Sequence, residues 1–320
     1  MKIAFVGKGG SGKTTIASLF ARHVAAHPYR IMAIDADINQ HFGKRLGLDP
    51  RTTATLAKLS EHIGEIKEYL RGENPLIPTN ELMLKTTPPG PGSRLLTLAE
   101  SNPLYSELFT STPDGIRFAT TGDFKDEDLG KRCYHSKTAA VELLLGHLVD
   151  LENEFVVVDM VAGAEIFGSG MFTRFDAIVA VVEPTDDSLD VYRQVMAHAA
   201  TYEIPVWVVG NKIEEREDKE FLQAHIASSG QIIGWFQKSR YVKAAARGMF
   251  RPLKDLEPEN GAVLDAIMER ALSWPKKWER LTELAHLFHK RAVEDWGSHP
   301  DFDLTAQNVP GYVPGTQMLD

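Results

Sequence analysis

Gly7-Lys8-Gly9-Gly10-Ser11-Gly12-Lys13-Thr14 follows a short apolar run, Lys2–Val6, and precedes a helical pattern over Thr14–Ala26. The stretch matches the G-x-x-x-x-G-K-[ST] phosphate-loop pattern in the strand–loop–helix setting that this pattern requires. Its glycines allow successive backbone N–H groups to turn toward an anion, and the helix N-terminus adds its dipole. The residues expected to contact a nucleotide are Gly7, Gly9, Gly10, Ser11, Gly12, Lys13, Thr14 and Thr15. A purely structural glycine-rich turn is the alternative.

Two side chains of this loop have specific expected roles. Lys13 balances the charge of the β- and γ-phosphates, and the expected nucleotide is ATP or its product ADP. The hydroxyl of Thr14 is a candidate ligand for Mg²⁺. The loop alone therefore predicts a nucleotide and a magnesium ion as cofactors.

Apolar, β-branched runs alternate with helical patterns along the chain. The runs are Lys2–Val6, Arg30–Ile34, Phe155–Val158, Ala177–Val182 and Val206–Val209, and the helical patterns include Thr14–Ala26, Thr138–Leu151 and Asp187–Thr201. This alternation predicts βα units. The expected fold is therefore a doubly wound α/β domain with a mostly parallel sheet flanked by helices.

The pattern also suggests where the domain is elaborated. We expect one nucleotide-binding domain over residues 1–275, with an insertion at about residues 50–130, where prolines interrupt the pattern. One further strand is predicted inside that insertion, at Ile116–Thr121. Residues 276–320 are expected to add a C-terminal helix, at about Lys276–Asp295, and an irregular tail.

Composition limits the classes of partner and compartment. The 320 residues are 43% hydrophobic and carry a formal net charge of −9, which gives no general attraction to nucleic acid or anionic lipid. The chain has one cysteine, and its first residues already read as a strand, so we expect a cytoplasmic protein without disulfides. No run approaches the roughly 20 apolar residues that span a bilayer.

Carboxylates close two of the predicted strands. Ile34-Asp35-Ala36-Asp37 ends one strand, and Val156-Val157-Val158-Asp159 ends another. Ligands bind at the carboxyl ends of parallel strands, and Asp159 has the form of a carboxylate that holds a Mg²⁺-bound water. For Asp35 and Asp37, a pair of helix-capping aspartates is the alternative.

A later strand ends at Val208-Val209-Gly210-Asn211-Lys212. An asparagine side chain can offer one acceptor and one donor to the edge of adenine. Asn211 is therefore the predicted base-reading residue, with Lys212 as a further nucleotide contact, and the alternative is an asparagine that caps a turn. The guanine motif Asn/Thr-Lys-x-Asp is absent because Ile213 and Glu214 follow Lys212.

The spelling Lys-Gly-Gly-x-Gly-Lys-Thr-Thr at Lys8–Thr15 resembles the deviant Walker A ATPases, which include the ParA and MinD ATPases, the arsenite-pump ATPase and nitrogenase iron protein. The resemblance implies that Lys8 reaches across a nucleotide-sandwiched dimer, although a solvated loop lysine is the alternative. It also implies that Asp37 orients the attacking water and that Asp35 lies near Mg²⁺. The residues from Asp159 to Glu165 resemble the switch II segment of the same family.

Within that group, three segments most closely resemble the CooC-type carbon monoxide dehydrogenase maturation ATPases: Gly130–His135, Val158–Glu165 and Val182–Leu189. In that branch a Cys-x-Cys pair binds metal at the dimer interface. This chain has Cys133-Tyr134-His135 instead, which implies a Cys₂His₂ set for Zn²⁺ or Ni²⁺ in a symmetric dimer. The missing second thiolate argues against nickel insertion in particular, and a buried cysteine beside a helix N-terminal histidine is the alternative.

Together these features predict a Mg²⁺-dependent ATPase of slow turnover that closes as a homodimer over ATP. Its expected catalytic residues are Lys8, Lys13 and Asp37, and its expected work is metalloenzyme maturation on a client protein. One alternative is a ParA/MinD-like positioning or regulatory ATPase without a metal role. The other is a P-loop small-molecule synthetase, which Lys8 and the switch II spelling disfavour.

Overall fold

The computed structural model describes residues 1–123, 137–226, 228–296, 299 and 301–317. The strands in these ranges are β1 (Lys2–Val6), β2 (Arg30–Asp35), β3 (Thr110–Ser111), β4 (Arg117–Thr120), β5 (Glu154–Asp159), β6 (Ala177–Val182), β7 (Val206–Ile213) and β8 (Ile232–Gln237). They form one sheet in the order β3-β4-β2-β5-β1-β6-β7-β8. The short edge strand β3 is antiparallel to β4, and the other pairs are parallel. The sheet confirms the expected doubly wound α/β fold.

Helices flank this sheet. In the described ranges they are α1 (Lys13–Ala25), α2 (Phe42–Arg45), α3 (Pro50–Thr55), α4 (Ile63–Arg71), α5 (Pro103–Leu108), α6 (Ala139–His147), α7 (Asp186–Thr201), α8 (Arg216–His225), α9 (Arg240–Ala246), α10 (Pro258–Ser273), α11 (Trp278–Trp296) and α12 (Pro314–Gln317). The helix expected to reach Leu151 ends at His147, because Leu148 is extended and forms a bridge with Leu96. None of the helices described has both the length and the apolar character needed to cross a membrane.

The strand β1 shows how the sheet acquires two buried faces. Ala4 and Val6 point to one face, where they join a cluster that includes α6 and α7. Ile3 and Phe5 point to the other face, where they pack with α1 and α10. Successive residues of a strand alternate between faces, so a strand covered on both sides must be apolar throughout. This arrangement leaves the carboxyl ends of the strands as the open edge of the sheet.

One of the strands was predicted from the sequence and another was not. The expected strand at Ile116–Thr121 is confirmed as β4, and its pairing with β2 makes part of the 50–130 stretch integral to the sheet. The strand β8 was not expected, because Gly234 interrupts its apolar run. That glycine is needed for packing, since a Cβ added there would lie 3.0 Å from Cγ2 of Val263 on α10.

The helix α11 is held to the domain by apolar and ionic contacts. The rings of Phe288 and Phe172 lie 4.8 Å apart in a T-shaped arrangement. Just before the helix, the Lys276 ammonium pairs with Asp150 at 2.6 Å and with Asp176 at 2.7 Å. The apolar stripe of this helix therefore packs on the chain's own core.

Two buried histidines make the fold sensitive to acid. His147 donates from Nδ1 to the Leu143 carbonyl at 3.0 Å, and burial lowers its pKa to about 4. Burial likewise lowers the pKa of His289 to about 4. The Nε2 atom of His289 donates to the Leu304 carbonyl, and its Nδ1 accepts from Thr86, each at 3.0 Å, so the neutral ring satisfies both contacts.

We expect the free energy of unfolding to fall as the pH is lowered from about 7.5 to about 5. A lowered folded pKa means that the unfolded chain takes up protons first, so this stabilisation is complete above the ordinary pKa of 6.5 and declines toward pH 4. The expected loss is of the order of 2 kcal/mol per histidine. Urea unfolding at the two pH values measures it. His147→Met should flatten the dependence, whereas His27→Gln on the exposed surface should not; an equal slope in all three proteins would contradict the assignment.

Candidate nucleotide-binding site

The loop over residues 7–12 joins β1 to α1 at the carboxyl edge of the sheet. At two positions of the loop, neighbouring atoms come so close that only glycine fits. A Cβ on Gly7 would lie 2.6 Å from the Val181 carbonyl oxygen, and one on Gly12 would lie 2.2 Å from Nδ2 of Asn211. Gly12 also has a φ of 94°, which residues other than glycine rarely adopt. The loop is therefore a backbone cradle that leaves no room for side chains at these positions.

Lys13 lies beside two carboxylates. Its ammonium is 2.7 Å from Oδ2 of Asp37 and 3.6 Å from Oδ1 of Asp159. Burial acts to lower the pKa of Lys13, but Asp159 and Asp37 outweigh it and raise the pKa above its ordinary value. Lys13 is thus a buried ammonium whose charge is balanced by carboxylates of the site.

The carboxylates of Asp35 and Asp159 lie side by side because β2 and β5 pair in register at these residues. Burial raises the pKa of Asp159 to about 6 despite the opposing effect of Lys13. Burial and the neighbouring Asp159 also raise the pKa of Asp35 well above its ordinary value. The two oxygens of Asp159 are buried and accept no hydrogen bond from the described residues. Such a pair of desolvated, crowded carboxylates would be stabilised by a cation.

Magnesium fits this donor set. Asp35, Asp159 and the Thr14 hydroxyl are hard oxygen donors of the kind that Mg²⁺ prefers, and the buried oxygens of Asp159 form no hydrogen bond. In the described part of the chain, no group of three or more His, Cys, Asp or Glu side chains is arranged to hold a metal ion by itself. Mg²⁺ usually binds one or two carboxylates together with substrate phosphates and water, so the donors named above would be completed by the nucleotide.

The predicted switch residue Asp37 is oriented by its own segment. Its Oδ1 accepts from the backbone N–H of Asn39 at 3.0 Å and from Nδ2 of the same residue at 2.9 Å. Its backbone N–H donates to Asp35 at 3.1 Å. Asn39 was not anticipated, although the spacing Asp-x-Asn is a turn signal that could have identified it.

Asn211 and Lys212 contact the phosphate loop from β7. Nδ2 of Asn211 donates to the Ser11 carbonyl at 2.6 Å, and the Lys212 ammonium donates to the Gly10 carbonyl at 2.8 Å. Lys212 also forms an ion pair with Glu183. Two hydrogen bonds therefore tie the end of β7 to the phosphate loop.

A cavity of about 560 Å³ opens above the loop, large enough for a nucleotide. Its lining combines the loop, the segment after β2 and the chain after β8: Gly9, Gly10, Gly12, Lys13, Thr14, Thr15, Asp37, Asn39, His41, Arg45, Ala162, Asn211, Lys212, Phe236, Gln237, Lys238, Ser239, Val242, Lys243 and Ala246. The end of β8 and the start of α9 therefore form one wall of this cavity. Arg45 was not anticipated.

Lys8 and the switch II segment lie at the rim. The Lys8 ammonium contacts Oδ2 of Asp187 at 2.7 Å, and both side chains are accessible to water. The N–H of Gly163 donates to the Gly7 carbonyl at 3.0 Å, which ties switch II to the phosphate loop. Cys133 and His135, the candidate transition-metal ligands, lie outside the described residues.

A family model described as the CobQ/CobB/MinD/ParA nucleotide binding domain matches residues 3–250. The carbon monoxide dehydrogenase accessory protein CooC of Rhodospirillum rubrum is 29% identical over 226 residues, which are 69% of this chain and 78% of that protein. An uncharacterized ATP-binding protein of Methanocaldococcus jannaschii is 26% identical over 229 residues, 71% of this chain and 84% of that protein.

Solved structures share the fold. A putative plasmid partition protein from Borrelia burgdorferi B31, bound to AMPPNP, superposes with a TM-score of 0.56 at 13% identity, covering 84% of this chain and 98% of that one. MinD with Mg-ADP from Pyrococcus horikoshii OT3 gives 0.56 at 13% identity, with 84% and 95% covered. At such identities the likeness concerns the fold alone.

Proposed function

The chain belongs to the CobQ/CobB/MinD/ParA nucleotide-binding domain family, and we propose that it is an ATP-hydrolysing dimeric switch that serves the maturation of a metalloenzyme. One observation carries the switch: Lys8 and Lys13 stand on one phosphate loop, each held by a carboxylate that a phosphate could replace. The likeness to CooC supports the maturation role.

The base pocket favours ATP over GTP. One hydrogen of Nδ2 of Asn211 is engaged by the Ser11 carbonyl, which leaves its second hydrogen and Oδ1 available to the base. Together they offer one donor and one acceptor, which match N7 and the exocyclic amine of adenine, whereas guanine presents two acceptors, N7 and O6, on the same edge. Asn211 thus acts both as a brace for the loop and as the base-reading residue.

Phosphate binding would rearrange the charges around Lys13. The β- and γ-phosphates compete with Asp37 for the Lys13 ammonium, and Asp37 is then free to accept a hydrogen bond from the attacking water. Asn39 keeps the Asp37 carboxylate oriented while this exchange takes place. Mg²⁺, when bound, would neutralise charge that develops on the phosphate oxygens.

Lys8 would act between subunits. Exposed ion pairs are weak in water, so Lys8 can leave Asp187 at little cost when a partner's phosphates come within reach. Lys8 and Lys13 would then both stabilise the charge of the transferring phosphoryl group. Loss of the γ-phosphate removes the contact that Lys8 makes across the interface, and the dimer reopens. Turnover is expected to be slow because each cycle includes this opening step.

The first test is the mass of the protein in solution with Mg²⁺. We expect a monomer with ADP and a dimer with a slowly hydrolysed ATP analogue, whereas the matching GTP analogue should be ineffective at the same concentration. Lys8→Ala should stay monomeric with every nucleotide. Asp187→Asn, which frees Lys8, and Lys44→Ala on the exposed surface of α2 should both still dimerise. A mass that is indifferent to nucleotide would refute the switch.

The same samples test the maturation role. If Cys133 and His135 of two subunits hold Zn²⁺ or Ni²⁺, the nucleotide-bound dimer should contain one metal ion per dimer, and Cys133→Ser should remove it without preventing dimerisation. A metal-free wild-type dimer that instead binds DNA or lipid vesicles would point to the positioning ATPase. The proposed maturation role, together with its protein client, would then have to be abandoned.

A further inference from the structure

Arg45, the last residue of α2, lines the nucleotide cavity and also an adjoining cavity of about 190 Å³ between α1, α2 and α9. Its side chain is partly withdrawn from water. Within the ranges that the structure describes, its guanidinium forms no hydrogen bond and no ion pair. Arg45 is therefore a half-buried cation at the edge of the site, and burial lowers its pKa more than the attraction of Asp159 raises it.

Other cations around the same cavity are accounted for. The ion pairs are Lys13 with Asp37, Lys212 with Glu183, and Lys238 with Glu214. Lys243 is exposed to water and needs no partner. Arginine stays charged in proteins, and partly buried charges are normally paired because desolvation is costly. The position of Arg45 is thus unfavourable for the ligand-free protein and favourable once an anion enters the cavity.

The backbone that carries Arg45 is held in place. The N–H of Phe42 donates to Oδ2 of Asp35 at 2.9 Å, and the buried Phe42 ring packs edge-on against Phe118 with centroids 6.1 Å apart. A Cβ on Gly43 would lie 3.0 Å from the Phe118 ring, so α2 lies directly on β4. Arg45 therefore cannot swing away with its helix, and little backbone entropy is lost when it meets a ligand.

We propose that Arg45 binds the phosphate chain of the nucleotide, as an additional cation supplied by α2. A guanidinium presents a planar fork of donors that matches two phosphate oxygens at once. Phosphate is the anion that the glycine cradle and Lys13 attract into this cavity, and Arg45 faces the same space beside Thr15. The inference rests on the proposed function, since it assigns a further residue to that nucleotide site.

The test is the affinity for ATP and ADP, measured by calorimetry on wild type, Arg45→Gln, Arg45→Lys and Lys44→Ala. We expect Arg45→Gln to weaken binding of ATP by about tenfold or more, Arg45→Lys to recover part of the loss, and Lys44→Ala to bind within about twofold of wild type. The difference between wild type and Arg45→Gln should shrink as KCl is raised from about 50 to about 500 mM, because screening weakens a charge contact.

Two outcomes would overturn the assignment. One is wild-type affinity of Arg45→Gln for both nucleotides, and the other is a loss that salt leaves unchanged, which would indicate a structural effect on the cavity wall. A loss confined to ATP would place Arg45 on the γ-phosphate, and a loss shared by ADP would place it on the α- or β-phosphate. Failure of the wild-type protein to bind ATP would instead refute the proposed function itself.

Discussion

Lys13→Ala is expected to lower the rate of ATP hydrolysis by about 100-fold to 1000-fold at saturating nucleotide. The ammonium of Lys13 is buried beside Asp37 and Asp159, so its removal leaves two carboxylates without their counter-charge. Those negative charges would then repel the phosphate chain that the loop binds. The loss should therefore exceed that caused by any exposed lysine of the loop.

The measurement is phosphate release at several ATP concentrations, so that turnover and affinity are separated. Lys44→Ala serves as the control, because this lysine lies on α2 and is exposed. The variant's fold should be checked by its far-ultraviolet circular dichroism. Hydrolysis by Lys13→Ala at the wild-type rate would show that the reaction does not take place on this loop.

Asp150→Asn is expected to lower the free energy of unfolding by about 3–5 kcal/mol. The Asp150 side chain is fully buried and receives the ammonium of Lys276 at 2.6 Å and that of Lys2 at 3.5 Å. Neutralising it leaves buried cations without their shared counter-charge. These contacts join β1, the start of β5 and the entry to α11, so the damage should be global.

The pH dependence of this variant has a definite sign. Burial alone would raise the pKa of Asp150, but Lys276 and Lys2 outweigh it and hold the pKa below its ordinary value of 3.8. The stabilisation is thus present above pH 3.8 and is lost as the pH falls through the lower folded pKa. The gap between wild type and Asp150→Asn should be full at neutral pH and shrink only in strong acid.

Urea unfolding of the wild type, Asp150→Asn and Glu152→Gln measures this loss of stability. Glu152 lies two positions away and is exposed, so its replacement should change the free energy of unfolding by less than about 0.5 kcal/mol. Equal stability of both variants and the wild type would mean that the ionic cluster contributes nothing to the fold.

Structural features that depend on neighbouring residues could be predicted from the sequence alone. The phosphate loop and the carboxylates that end β2 and β5 follow from local spelling, because a strand, a glycine turn and a helix are specified within about 20 residues. The strands β1 and β6 fall at Lys2–Val6 and Ala177–Val182, as expected. Their apolar runs are unbroken, so local propensity and burial agree.

Pairings between distant residues could not be read in the same way. Nothing near Arg45 in the chain indicates that α2 places it in the wall of the nucleotide cavity, since that depends on Phe42 packing against Phe118 of β4. The brace from Asn211 to Ser11 joins residues 200 positions apart. Similarly, Lys276 belongs to the core of the domain only because α11 folds back upon it.

The sequence by itself determined the kind of protein: a doubly wound α/β domain with a phosphate loop at Gly7–Thr14 and carboxylates at the neighbouring strand ends. The tertiary structure decided which cations of the site are paired with which carboxylates, and which glycine of β8 makes room for α10. The physical reason is that backbone propensity and motif chemistry act over a few residues. Burial, charge pairing and packing are set by segments that meet only when the chain has folded.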